Sequence, residues 1–158
     1  MNKLIFGLIT LLVISCAENP KSEFSFRGTT NGIKNGTILY LENTSERNII
    51  DSTTVENNSF VFETKLSKSP LQVVLRTKDH SHYRFLWLEN NPMSFDGSKT
   101  DFRNANVTGS ESENLSQTLH NGMDSLSGEE RTKKEIEFVN NNPNSIVSAN
   151  VLSMYSTT

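Results

Sequence analysis

The one thiol in the chain, Cys16, stands directly behind Val13-Ile14-Ser15, at the end of an N-terminus that is first basic and then apolar. Lys3 supplies the positive charge. Residues 4–14 form an apolar run broken only by Gly7 and Thr10, too short and too abruptly ended to serve as a mature membrane span. This order of charge and hydropathy reads as a secretion signal. A small residue ahead of the cysteine matches a bacterial lipobox, so cleavage is expected between Ser15 and Cys16, leaving Cys16 as a diacylated N-terminus. Each buried lipid methylene contributes about 0.8 kcal/mol, and two chains hold a protein where one anchors it only marginally. The chemistry expected of Cys16 is therefore attachment to a membrane. Thiol–disulfide exchange needs an attacking thiolate and a resolving thiol, which a lone acylated sulfur cannot provide. Ala17, standing where an aspartate would retain a lipoprotein at the inner membrane under enteric sorting rules, favours the outer over the inner membrane and leaves the leaflet open.

Two further groupings could do chemistry. His80 and His82, separated by Ser81 and preceded by Asp79, would point the same way along an extended chain and offer two metal ligands. Two imidazoles make an incomplete site, and His120 falls in a separate helical region, so a polar loop is the reading here and no metal is assigned. Tyr83, Phe85 and Trp87 alternate with Leu86 and Leu88. The plain reading is a central strand buried on both faces. The sharper reading turns the three aromatic residues into a shallow binding surface for a sugar, a lipid or a partner domain, with Trp87 partly exposed. No Ser-His-acid arrangement with motif support and no glycine-rich phosphate loop is present, so no catalytic residue and no cofactor is assigned.

The elements that must position these residues follow from periodicity. Removing residues 1–15 takes away Lys3 and no acid, leaving 14 basic and 18 acidic residues and a net charge of −4, which gives no footprint for nucleic acid. The remaining 143 or so residues suffice for one domain with a modest core. With Cys16 acylated, no disulfide can form within the chain. After a polar tether, residues 16–23, short apolar runs alternate with turn residues, as in antiparallel sandwiches. Strands are expected around Phe24 and Phe26, at 37–41, 48–55, 59–64, 71–75 and 83–88, with shorter ones at 93–95 and 106–108. Asn31-Gly32, Asn35-Gly36 and Asn57-Asn58 mark turns.

From Ser110 the period lengthens. Leu115, Leu119 and Met123 fall on one helical face, with Ser112 or Glu113 opening the helix. A second helix is expected over 129–140. Pro143 stops it, and Ser145 caps a third running through Ile146, Ala149, Leu152 and Tyr155. That last helix, apolar and uncapped at its far end, reads as a connection to something further.

The succession Phe26-x-Gly28, Gly36-x-Ile38-x-Tyr40-Leu41, Ile50-Asp51-Ser52, Phe60-x-Phe62, Leu86-x-Leu88-Glu89-Asn90, Val107-x-Gly109-Ser110 and Phe138-x-x-x-x-Pro143-Asn144-Ser145 resembles the N-terminal β-rich domain of unknown function of Bacteroidetes-type lipoproteins. In that family the domain precedes a thioredoxin-like domain of the thiol-disulfide oxidoreductase or peroxiredoxin-like kind. Two departures stand out. Asn58-Ser59 replaces the usual glycine before the Phe-x-Phe strand, which asparagine tolerates because it accepts a left-handed backbone, and the helical interval between Gly109 and Pro143 is short. The thioredoxin-like domain and its Cys-x-x-Cys pair have no counterpart in these residues. Asp51-Ser52-Thr53 and Asp124-Ser125-Leu126 are similar to the short O-glycosylation acceptor of exported proteins in this bacterial group, making Ser52 and Ser125 candidate modification sites. The alternative is that these side chains only shape a strand end and a helix end.

Together these readings give a mainly β chain: a signal peptide over 1–15, a tether over 16–23, an antiparallel β-sandwich-like domain over 24–109 and a helical segment over 110–158. The resemblance implies a lipid-anchored, periplasm-facing, non-catalytic module that positions or docks a thioredoxin-like domain or protein, or pairs with itself as a homodimer. The reading from a different class is an independent surface lipoprotein that binds glycan or peptide.

Overall fold

The computed structural model describes residues 24–64 and 66–156; Ser15 and Cys16, the expected cleavage and lipidation positions, lie outside the described residues. Eight strands come first: β1 (Ser25–Thr29), β2 (Ile38–Asn43), β3 (Ile49–Thr54), β4 (Ser59–Phe62), β5 (Leu71–Thr77), β6 (Tyr83–Leu88), β7 (Pro92–Asp96) and β8 (Asn106–Thr108). Three helices follow, α1 (Glu111–His120), α2 (Gly128–Asn141) and α3 (Ile146–Ser156). The strands form two four-stranded sheets, ordered β4-β1-β7-β8 and β3-β2-β5-β6. Pairing is antiparallel except for β1 with β7, which run parallel from Ser25 opposite Pro92 to Thr29 opposite Asp96. The result is the expected β-sandwich-like fold with helices near its C-terminal end.

The core sits between the sheets because alternate residues of each strand turn inward. One sheet contributes Phe26, Phe60, Phe62, Met93, Phe95 and Val107, the other Leu39, Leu41, Val73, Leu75, Leu86 and Leu88. The phenylalanines pack edge to face, with ring centroids 5.7 Å apart for Phe26 and Phe60 and 5.5 Å for Phe60 and Phe95. Gly28 makes room for this cluster: a Cβ there would lie 2.1 Å from the Phe60 ring. The β3–β4 connection carries the chain from one sheet to the other through a tight turn at Asn57 (φ 49°) and Asn58 (φ 59°), flanked by a bridge between Glu56 and Ser59. Positive φ at both central residues is what a tight hairpin turn requires, and asparagine fills the place where the resembled family carries glycine.

On the opposite side of the sandwich, the edge strands β6 and β8 leave a gap that α1 fills. Here three sequence expectations are corrected. β6 lies at an edge of its sheet, not at its centre. The helix opens one or two residues earlier than expected, at Glu111, because Ser110 accepts a hydrogen bond from the Glu113 N–H at 3.0 Å and so serves as the cap. Met123 has left α1: Gly122 (φ 73°) breaks the helix, and Met123 sits on a short 3-10 turn. Met123 nonetheless packs beside Leu119 in a second apolar cluster with Trp87, Phe138, Val147 and Val151, which fastens the three helices to the outer face of β6. α2 begins with a capping box in which Ser127 and Glu130 satisfy each other's backbone N–H groups. The buried side of α3 is Val147, Ser148 and Val151, so the stripe Ile146, Ala149, Leu152 and Tyr155 faces outward.

A candidate groove beside the covered strand edge

Where β6 meets α1, a charged pair is buried. Arg84 shares the inward phase of its strand with Leu86 and Leu88, and its Nη2 lies 3.0 Å from Glu113 Oε1, the two side chains being only 13% and 2% exposed. Glu113 Oε2 accepts the Trp87 N–H at 2.9 Å. Arg84 also donates to Gln117 Oε1 at 3.3 Å and to the Arg103 carbonyl, while its Nε is buried without a hydrogen-bond partner among the described residues. Burial raises the pKa of Glu113 above the ordinary carboxylate range, against the lowering effect of the Trp87 N–H and Arg84.

One helical turn on, Gln117 pairs with β8. Its Nε2 donates to the Val107 carbonyl at 2.7 Å and its Oε1 accepts the Val107 N–H at 3.2 Å, the two bonds a neighbouring strand would make. Glu113 and Gln117 thus satisfy backbone groups on the free edges of both sheets, which blunts edges that would otherwise template further pairing. Glu89 secures the start of the same helix, its carboxylate accepting the Ser112 N–H at 2.9 Å and the Glu111 N–H at 3.2 Å. Burial acts to raise the Glu89 pKa, and the Ser112 and Glu111 contacts outweigh it, leaving the carboxyl lowered.

Between the outer face of β6 and the helices α1 and α3 lies an open groove of about 970 Å³. Tyr83, Phe85 and Trp87 are all brought to it. Trp87, which the binding-surface reading needs partly exposed, is only 6% exposed beneath the helices, whereas Phe85 is 59% exposed. Phe85 stands edge-on to Tyr83 with centroids 6.1 Å apart, and the Arg103 guanidinium lies over the Tyr83 ring at 4.5 Å. The strand is therefore buried on one face and half covered on the other, a state between the two sequence readings.

The histidines are not brought together with other ligands. Asp79 is occupied locally, accepting from Thr77 Oγ1 at 2.7 Å and from Ser81 Oγ at 2.8 Å, and these contacts lower its pKa to about 2. His80 adopts φ 57°, His82 Nδ1 meets Ser81 Oγ at 3.0 Å, and His120 Nδ1 bonds to the Ser116 carbonyl at 2.7 Å on α1. Among the described residues no three His, Cys, Asp or Glu side chains are grouped to hold a metal ion. Ser52 is exposed on β3, its N–H bonded to Asp51 Oδ1 at 2.7 Å, and Ser125 is exposed on the 3-10 turn, its Oγ donating to the Gly122 carbonyl at 2.8 Å. Sequence reading missed Arg84, Glu113 and Gln117 as a group. The available signals were an arginine on the inward phase of an apolar strand and a Glu/Gln pair four residues apart beside the Leu115/Leu119 stripe.

The described residues form a β-sandwich of two four-stranded sheets edged by helices, with an open groove beside β6. Residues 24–115, more than half of the chain, match the family model described as "Domain of unknown function (DUF4369)", and the chain belongs to that family. The match ends within α1, leaving α2 and α3 beyond it. No curated protein and no solved structure matches the chain.

Proposed function

We propose that this chain is a lipid-anchored, non-catalytic module of the bacterial cell envelope that faces the periplasm and docks a thioredoxin-like partner. The observation that carries the reading is the state of α3. The helix is apolar on nearly every side, yet Ile146 and Leu152 are 43% and 56% exposed opposite the buried Val147 and Val151. A helix apolar all round is ordinarily buried all round, so its outer face calls for a cover. The lipoproteins that the sequence resembles carry a thioredoxin-like domain after this one, which makes that fold the chosen occupant.

Two other facts support a module without its own chemistry. The residues behind the resemblance are spent on folding: Gly28 lies under Phe60, Gly109 (φ 93°) lies against the Pro92 carbonyl, Ser110 and Glu89 cap α1, and Phe60, Phe62, Leu86 and Leu88 fill the core. The single cysteine leaves no Cys-x-x-Cys, so exchange chemistry belongs to the partner.

A photo-crosslinking residue placed at Leu152 in native cells tests the docking. An adduct with a protein that carries a thioredoxin-like Cys-x-x-Cys supports it. Adducts confined to a second copy of the chain, or none, overturn it. The purified mature chain is expected to leave insulin disulfides intact, and reduction of insulin would end the non-catalytic reading.

A further inference from the structure

We infer that Asn31-Gly32, at the start of the crossover from β1 to β2, is a self-modifying site, where the asparagine amide is lost to intramolecular attack and an acid takes its place. Three asparagines in the chain stand directly before a glycine, at 31, 35 and 121. The fold treats them differently.

In the reaction the Gly32 backbone nitrogen gives up its proton and attacks Cγ of the Asn31 side chain. The N–Cγ bond forms, the Cγ–Nδ2 bond breaks, and Nδ2 leaves with that proton as ammonia, closing a five-membered imide. Water then opens the ring at one of its two carbonyls. Opening at Cγ leaves aspartate at position 31, and opening at the main-chain carbonyl leaves isoaspartate, whose main chain runs through the former side chain. Water is the only co-reactant. Closure requires a nitrogen whose N–H is not engaged, freedom to rotate about the asparagine Cα–C bond, and no Cβ on the following residue in the way.

Among the three pairs, only Asn31-Gly32 meets every requirement. Both residues are exposed, and neither makes a hydrogen bond among the described residues. At Asn35 the nucleophile is withheld, because the Gly36 N–H donates to the Val55 carbonyl at 2.9 Å. At Asn121 the asparagine itself is held: its N–H donates to the Gln117 carbonyl at 2.9 Å and its own carbonyl accepts from Lys134, so the backbone is pinned on both sides of the bond that must turn. Asp96-Gly97 could close the same ring with loss of water, but the Gly97 N–H donates to the Thr29 carbonyl at 2.9 Å, and Asp96 Oδ1 accepts the Ser98 N–H at 3.0 Å.

The product adds a negative charge to the segment that joins the two sheets. As isoaspartate it also adds one main-chain carbon between Thr30, whose N–H donates to the Asn58 carbonyl at 2.7 Å, and Ile33, buried in the core.

The purified full chain, folded and free of other proteins, would be aged in mildly alkaline buffer and digested, with fragmentation that tells aspartate from isoaspartate at each position. Conversion at 31 is expected to run at least about fivefold faster than at 35 or 121, the factor that one hydrogen bond of ordinary worth withholds when it must first break. In guanidinium chloride the three rates should draw level, since the sequence around the attack is the same. Equal or faster conversion at 35 or 121 in the folded chain, no conversion at 31, or the same ranking in denaturant as in the folded state overturns the inference. The measurement uses neither Cys16 nor α3, so its outcome is independent of the docking reading.

Discussion

Glu113 ties β6 to α1, since one largely buried carboxylate meets both the Arg84 guanidinium and the Trp87 N–H. Its pKa is raised by burial, so the folded state holds a proton more tightly than the unfolded chain does. Stability from this group is therefore fullest at low pH and falls as pH rises from the ordinary glutamate range through the raised value, levelling off above it. Asp79 acts in the opposite sense: its carboxyl is lowered to about 2 by Thr77 and Ser81, so its contribution is present above the ordinary aspartate range and is lost as pH falls towards 2. Urea unfolding of wild type and Glu113→Gln across pH 2–8 separates the two: the variant is expected to lack the decline with rising pH and to keep the loss below about pH 4. At pH 7, Glu113→Ala should cost about 3–5 kcal/mol, since it strands a buried guanidinium and orphans a strand N–H. Glu113→Gln keeps an acceptor for Trp87, and adding Arg84→Met to it should recover part of its loss by removing the unpaired charge. If the double variant is less stable than Glu113→Gln alone, the guanidinium is not the source of the cost.

Among the elements, α1 does the work of a missing strand, and its removal has a definable consequence. Gln117→Ala removes both hydrogen bonds to Val107 and opens the β8 edge. A loss of about 1–3 kcal/mol is expected in urea unfolding, together with concentration-dependent association, since free edges recruit other chains. Gly28→Ala tests the opposite side of the sandwich: a methyl 2.1 Å from the Phe60 ring must displace it, and a loss of about 1–3 kcal/mol or more is expected. The strands themselves were legible in sequence because period-two runs such as Phe60-x-Phe62 and Leu86-x-Leu88 are separated by Asn and Gly turns. The role of α1 was not. Its contacts to β6 and β8 depend on which strands become edges, and that is decided by the parallel pairing of β1 with β7 across distant sequence. For the same reason Trp87 and Phe85, indistinguishable by phase along the strand, differ in exposure: the helices reach the one and stop short of the other. The outward turn of Ile146 and Leu152 was equally hidden, because Ser148, Asn150 and Ser153 are scattered among the apolar residues of α3 and give no clear phase from which to read its buried face.

At the scale of the whole molecule, the proposed docking role raises the question of how the chain would be held where a partner can reach it. The described fold begins at Phe24, whose side chain already belongs to the core. Two acyl chains on Cys16 would anchor the domain stably, at about 0.8 kcal/mol for each methylene buried, whereas the net charge of −4 on the mature chain gives no attraction to an anionic lipid surface. On the proposed acylation of Cys16, attachment would rest on the lipid alone, and attachment and folding should separate cleanly. In cells fed an alkyne-bearing palmitate, the wild-type chain is expected to take up the label, partition into detergent and lose residues 1–15, while Cys16→Ala takes up none and retains its leader. Replacing residues 1–16 with an ordinary cleavable secretion leader should release a soluble domain whose thermal midpoint equals that of the lipidated protein. A free sulfhydryl at Cys16 in native protein, open to maleimide and still joined to the leader, would remove the anchor and with it the reason for excluding thiol chemistry from this chain.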